Sequence, residues 1–387
     1  MDHKQRSYNI LNVLEKVRAG VLDARAVITC ESLSRSRNLK LSKLKDFENV
    51  LQSATNQMDV DCAEGKYLLC GLGDGSICIY NLYNYTGSPQ FTCNVECMVD
   101  KNNRHAHKFS TECVQWYPFD TGMFLSSGMD KKLKVWDTNT LIPVESFSTE
   151  GKVYQHHMAR NSLIAVASSA NQISLIDIRK GSSVHELRGH SSLVLTCRWS
   201  PTEEYLLASG SCDRKVLLWD VRSARSCLRC LDQHNGEGQS NSQSTSTAHD
   251  GFVNGLCFSE NGLYLLSYGT DDSLRLWDVC WGRNEMVSFG SVPNHSKKCV
   301  QLDVRTVVGS GVAYVPSGSN VLLFNIESGR NVRTLHGHFS TVNGCRFHPF
   351  LQELYSCGND RNILVWSAGD SQVNSEQDED AWSGDEN

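Results

Sequence analysis

Lys132–Asp137 reads KLKVWD, an apolar-x-apolar alternation that closes on a tryptophan and an acid. Alternation with a period of two marks a strand. Near-copies stand at Lys215–Asp220 (KVLLWD) and Ser273–Asp278 (SLRLWD). Looser copies end at Asn81 (SICIYN), Asp177 (QISLID), Asn325 (NVLLFN) and Ser367 (NILVWS). With the bulky residue of each copy as an anchor, the series runs Tyr80, Trp136, Ile176, Trp219, Trp277, Phe324, Trp366. Successive gaps are 56, 40, 43, 58, 47 and 42 residues. Four of them lie near the roughly 40–45-residue period of a four-stranded propeller blade. Seven anchors predict seven blades.

Between anchors, each repeat offers a strand, a turn and a second strand. Examples are CVQWYPFDTGMFLSSG (113–128), TCRWSPTEEYLLASG (196–210), GLCFSENGLYLLSYG (255–269) and GCRFHPFLQELYSCG (344–358). Pro, Asp, Asn and Gly fall in the turns, where fixed or positive φ is useful. The first long gap holds 81–107, read as a strand plus an extended loop. The second holds QHNGEGQSNSQSTSTAHD (233–250), a polar surface loop between blades four and five. No strand follows Trp366, so the last blade needs an outer strand from elsewhere. Leu39–Leu44 alternates and is assigned to that closing role, which removes two exposed edges at once.

The expected organisation is an arm over 1–34, a propeller over 37–368 and a tail over 369–387. In the arm, Ile10, Leu14, Val17 and Val21 recur at helical spacing with Leu11 and Val13 beside them, and Gly20 interrupts the run. A second helical run, Ala24–Leu33, follows. The apolar stripe suits packing on the propeller rim, or a helix-in-groove contact with a partner. Residues 1–46 carry ten Lys/Arg and five Asp/Glu, so the arm is mildly basic. The tail ends in Glu376–Asn387, with six acids and no base, and is expected to be solvated and disordered.

The formal net charge of −6 over 387 residues gives no general pull towards nucleic acid or an anionic membrane. No apolar run approaches the roughly 20 residues of a membrane-spanning helix, and the start, MDHKQRSYNI, is too polar for a secretory signal. Sixteen cysteines therefore read as reduced thiols, many of them inside apolar strands (Cys70, Cys78, Cys197, Cys257, Cys345).

A second regularity is measured back from the tryptophans. Asp lies six before (Asp130, Asp213, Asp271, Asp360) and Ser ten before (Ser126, Ser209, Ser267, Ser356). His lies 28 or 29 before (His107, His190, His249, His338). Ser, His and Asp together suggest a hydrolase, but an active site occurs once and this set occurs four times. A buried Trp N–H, hydroxyl, imidazole and carboxylate can satisfy one another in the linear order Trp–Ser–His–Asp. The set is therefore read as structural. Blades three and six lack it and blade one keeps only Asp74, so their packing is expected to be more purely apolar.

The lone Cys227–Cys230 pair has no second pair to complete a four-ligand zinc site. His105 with His107, and His156 with His157, lack acidic or thiol partners. No phosphate-cradling glycine loop is present. Neither a metal, a cofactor nor an enzyme is expected.

Function is then sought on the faces. After blade four comes Trp219-Asp220-Val221-Arg222, and blade three ends Ile176-Asp177-Ile178-Arg179. Both arginines stand in third-strand turns, opposite the His and Asp turns, either as rim residues paired with a nearby acid or as forks for a partner's carboxylates or carbonyls. WDVR resembles the WD-x-Arg motif of the WD40 proteins that serve as substrate receptors of cullin-4 ubiquitin ligases. Within that family, ECVQWYPFDTGMF, LKVWDTNTL, LDQHNG, VNGLCF, LQELYSCG and the ending EDAWSGDEN resemble the Cockayne syndrome group A branch, from about residue 37 onwards.

The resemblance implies a seven-bladed WD40 β-propeller that is a non-catalytic, nuclear receptor in transcription-coupled nucleotide excision repair. Its expected partners are the ligase adaptor (damaged-DNA-binding protein 1), the Cockayne syndrome group B repair ATPase and the RNA polymerase II elongation complex. No membrane and no strong direct DNA binding are expected. Adaptor binding is carried over to Arg222, Asp220 and Arg179, and by position to the arm residues Ile10, Leu11, Leu14 and Val17. A client would meet the opposite face, near His107, His190, His249 and His338. The rival readings are a general WD40 scaffold outside any ligase and a peptide reader at the central channel.

Overall fold

A computed structural model describes residues 10–83, 90–223, 227–236, 246–307 and 310–368. Seven four-stranded antiparallel sheets follow one another around a central channel. Blades 1 to 6 occupy 55–99, 111–148, 153–188, 194–230, 253–284 and 303–336. Blade 7 takes three strands from 342–367 and its outermost strand, Lys40–Leu41, from the N-terminal side of the chain. Leu41 pairs with Trp366 and Lys40 with Ser367, and the Ser42 amide donates to the Val365 carbonyl at 2.8 Å. The closing strand is thus the second and third residues of the Leu39–Leu44 run. The next piece, Lys45–Phe47, pairs in parallel with Phe91–Cys93 and covers blade 1. Residues 84–89 and 237–245, in the two long gaps, lie outside the described residues.

Helix α1 (Ile10–Arg18) ends at Gly20, whose φ of 71° allows the closing turn. The Val21 amide reaches back to Lys16 O and the Gly20 amide to Val17 O, the two bonds of a Schellman cap. Helix α2 (Ala24–Arg37) runs past the arm limit read from sequence. Its Leu33 packs with Leu39, Val312, Tyr314 and Trp366 between blades 6 and 7, so burial rather than helix propensity extends it.

In each blade the anchor aligns, through the second strand, with one residue of the innermost strand. The register gives Val60, Trp116, Met158, Trp199, Phe258, Val304 and Phe347. The residues just before them form a ring: Asp59, Gln115, His157, Arg198, Cys257, Asp303 and Arg346 in blade order. Most of this ring stitches blade to blade. Asp59 accepts the Trp116 amide at 2.9 Å, Gln115 the Met158 amide at 2.8 Å and His157 Nδ1 the Trp199 amide at 2.9 Å. Asp303 accepts the Phe347 amide at 2.7 Å, whereas the Cys257 thiol donates within its own strand, to Phe258 O at 3.4 Å. Each bond between blades satisfies a backbone donor that would otherwise be stranded between sheets.

Candidate functional site

The four tryptophan blades each carry the same chain of hydrogen bonds. In blade 4, Trp219 Nε1–H donates to Ser209 Oγ at 2.8 Å, Ser209 Oγ meets His190 Nε2 at 2.7 Å, and His190 Nδ1 meets Asp213 at 2.9 Å. Blade 2 repeats it with Trp136, Ser126, His107 and Asp130. Blade 5 uses Trp277, Ser267, His249 and Asp271, and blade 7 uses Trp366, Ser356, His338 and Asp360.

An indole nitrogen can only donate, so the serine gives its own proton to His Nε2. The histidine is then neutral with its proton on Nδ1, facing the carboxylate. Burial holds His107, His249 and His338 below the ordinary imidazole range, against the pull of their aspartates. For Asp130, Asp213 and Asp271, burial works to raise the carboxyl, but the hydrogen bond and charge of the histidine lead the groups that hold it below the usual range. Every serine is fully buried with both its donor and an acceptor position engaged. Each set welds a link between blades to the turn between second and third strands. It is a fastening, not a nucleophile.

The other anchors are held differently. Tyr80 packs edge-on against Phe47 at 5.0 Å and donates to Glu48 O at 3.2 Å. Phe324 meets Phe289 at 5.6 Å, and Ile176 sits among Met158, Ile164 and Val166. Asp74 keeps a local role, accepting the Ser76 amide. His156 is buried against Ser127 Oγ at 2.7 Å, bridging blades 2 and 3. Cys227–Cys230 is the outermost strand of blade 4. Among the described residues no group of three or more His, Cys, Asp or Glu could hold a metal ion. All sixteen cysteines are free thiols.

Arg222 stands in the turn after the third strand of blade 4. Asp220 accepts its backbone amide at 2.9 Å, its Nε–H at 3.0 Å and its Nη2–H at 2.8 Å. The guanidinium lies over the Tyr205 ring, 4.8 Å from the centroid. Three of its five N–H groups make none of these bonds, and the side chain is 62% exposed. Blade 3 repeats the local turn, with Asp177 accepting the Arg179 amide at 2.9 Å and the Arg179 side chain exposed.

The two arginines therefore occupy equivalent turns of neighbouring blades on one face. The arm is elsewhere: α2 docks at blades 6 and 7, across the ring. Val17 is half-buried, and the side chains of Ile10, Leu11 and Leu14 lie outside the described residues.

Not anticipated from the sequence are the apolar residues on these faces. Tyr205, Phe119, Leu263 and Phe350 in first-to-second-strand turns, and Trp281 at 68% exposure, share the Arg222 face. On the other face Phe109, Phe252 and Phe339, the last 91% exposed, follow His107, His249 and His338 within three residues. The signal was available as a bulky apolar residue beside each turn. Strand patterns alone do not mark it.

The WD domain, G-beta repeat model matches 101–137, 181–220, 240–278 and 329–367. WD repeat-containing protein ATCSA-1 of Arabidopsis thaliana is 34% identical over 90% of this chain and 94% of its own length. The chain belongs to the ATCSA-1 family of WD-repeat proteins. Other WD-repeat relatives align over less. Radiation-sensitive protein 28 of Saccharomyces cerevisiae is 28% identical over 44% of this chain and 38% of its own. A ribosome biogenesis protein WDR12 homolog of Drosophila mojavensis is 37% identical over 33% and 31%. As a WD-repeat protein of this family, the chain is a propeller scaffold whose relatives bear no enzyme's name.

Proposed function

We propose that this WD-repeat protein is the substrate-recognition subunit of a cullin-4 ubiquitin ligase, acting in the nucleus in transcription-coupled nucleotide excision repair at stalled RNA polymerase II. The observation that carries the reading is the pair of Asp–x–Arg turns on one face, in a chain that aligns with ATCSA-1 along nearly its whole length. Asp220 and Tyr205 hold the Arg222 fork in place before any partner arrives, so little side-chain entropy remains to be lost on binding. Arg222 and Arg179 meet the adaptor, damaged-DNA-binding protein 1. The arm, with its uncovered Val21, Leu22 and Ile28, adds a second point of attachment. The face carrying Phe109, Phe252 and Phe339 receives the client side, including the Cockayne syndrome group B repair ATPase and the polymerase elongation complex. Ubiquitin chemistry takes place on other subunits.

Co-purification of the tagged protein with the adaptor tests this, comparing wild type, Arg222→Ala and a chain lacking residues 1–34. Adaptor retained by wild type and lost by folded variants supports the receptor. Folded wild type without adaptor would leave a WD-repeat scaffold outside any ligase, the reading that the shorter alignments with other WD-repeat proteins favour.

A further inference from the structure

Among the described residues, one charged member of the channel ring makes no side-chain bond. Arg346, which cannot accept an amide, instead donates to Asp59 at 3.2 Å and Asp303 at 3.4 Å. Arg198 cannot accept either, and it makes no hydrogen bond or ion pair among the described residues, although its Nε is buried. Its neighbours in the ring, His157 and Cys257, are neutral: burial first, then Arg198 itself, drives the imidazole far below its usual range, and burial raises the thiol to about 12.

The nearby carboxylates are engaged. Asp59 and Asp303 hold Arg346, Glu260 holds Arg305 at 3.2 Å, and Asp61 accepts five backbone amides. Arg198 lines two adjoining cavities of about 310 and 260 Å³. Pro201, Glu260 and Pro349 of the first-to-second-strand turns border the larger one, so it opens on the Arg222 face. His157 lines both; since its Nδ1 accepts the Trp199 amide, Nε2 carries the proton and is a second donor there.

A guanidinium that makes no ion pair, and shares the charge of Asp59 with Arg346, is left short of compensation in the channel and weakens the fold. We infer that Arg198 is a carboxylate-binding site, taking one Asp or Glu side chain at the tip of a loop that a partner protein inserts from the Arg222 face. The planar fork matches a carboxylate bidentately. Asp61 and Glu260 near the mouth select a single acid and repel an acidic run, so the chain's own segment 376–387 is a poor occupant.

The test is calorimetric titration of the full-length protein with the capped peptide Gly-Ser-Gly-Ser-Glu-Ser-Gly-Ser-Gly and its Glu→Gln counterpart. The Glu peptide is expected to bind at least about tenfold more tightly. Arg198→Gln should abolish the difference and Arg222→Ala should leave it. A peptide of residues 376–387 should bind no better than the single-Glu peptide, and tighter binding would overturn the choice of a single acid. Equal affinity of wild type for the Glu and Gln peptides would overturn the site. The free protein gives a separate readout, because removing an unpaired charge should leave the Arg198→Met thermal midpoint equal or higher. A fall of more than about 5 °C would show a structural role instead.

Discussion

Asp220 holds Arg222 by three bonds, one to the backbone amide and two to the guanidinium, while Tyr205 supports the fork from beneath. The carboxylate thereby does two things: it caps the turn and aims the cation. Arg222→Ala removes the exposed fork but keeps the amide cap. Thermal stability should hardly change, while adaptor retention is lost. A stable variant that still retains the adaptor would refute the assignment.

Ser209→Ala separates the fastening role from any chemistry. It leaves Trp219 Nε1–H without an acceptor and His190 Nε2 without a donor, both buried. Two stranded groups at roughly 1–3 kcal/mol each predict a loss of about 2–6 kcal/mol in denaturant unfolding. A change under about 1 kcal/mol would mean that blade 4 does not depend on the chain of bonds.

Acid should unfold the propeller before its carboxylates titrate. Burial, reinforced by Arg198, holds His156 at about 3, whereas an unfolded imidazole titrates near about 6.5. As pH falls below 6.5 the unfolded chain takes up a proton that the folded chain refuses. The contribution is fully present above that pH and is lost as pH falls towards 3. His157 acts in the same direction, and Asp130, Asp213 and Asp271 add to the loss below about 3.8. The thermal midpoint should fall steadily from pH 7 to 4, less steeply in His156→Leu. A flat wild-type profile between pH 6.5 and 4 would contradict the burial argument.

The arm and the closing strand should respond differently to truncation. Removing residues 1–22 deletes α1 and no propeller strand, so a monomer of near-native melting is expected. Removing 1–44 also takes Lys40–Leu41 and bares the edge of Ile363–Ser367. That variant should melt at least about 5 °C lower and self-associate in light scattering, because an open edge offers unpaired backbone groups.

Much of the fold was legible because the anchors repeat the pattern that the physics demands. A tryptophan N–H needs its serine ten residues back and its histidine beyond, and spacing alone displays that. The channel ring was not legible. Its members are an acid, an amide, an imidazole, two arginines, a thiol and another acid, with no shared letter. They align only through registers that slip near the start of the innermost strand, as between Val194 and Thr196 in blade 4. The parallel pairing of Lys45–Phe47 with Phe91–Cys93 was hidden for a related reason: two three-residue strands, far apart in the chain, carry too little pattern to announce each other. In the candidate site, the arginines were visible in WDVR and IDIR, but the Tyr205 shelf under Arg222 comes from a different turn and only the fold brings it close.

The pairing of Leu41 with Trp366 sets a condition on how the protein is made. The strand that completes the ring leaves the ribosome early and has no partner until Ile363–Ser367, 322 residues after Leu41 (363 − 41), has been synthesised. During that interval the nascent chain is an open row of blades with an unsatisfied edge at each end, the kind of species that chaperones guard. A chain that stops before Ile363 therefore yields no partial propeller with fewer blades. It cannot clasp its own beginning.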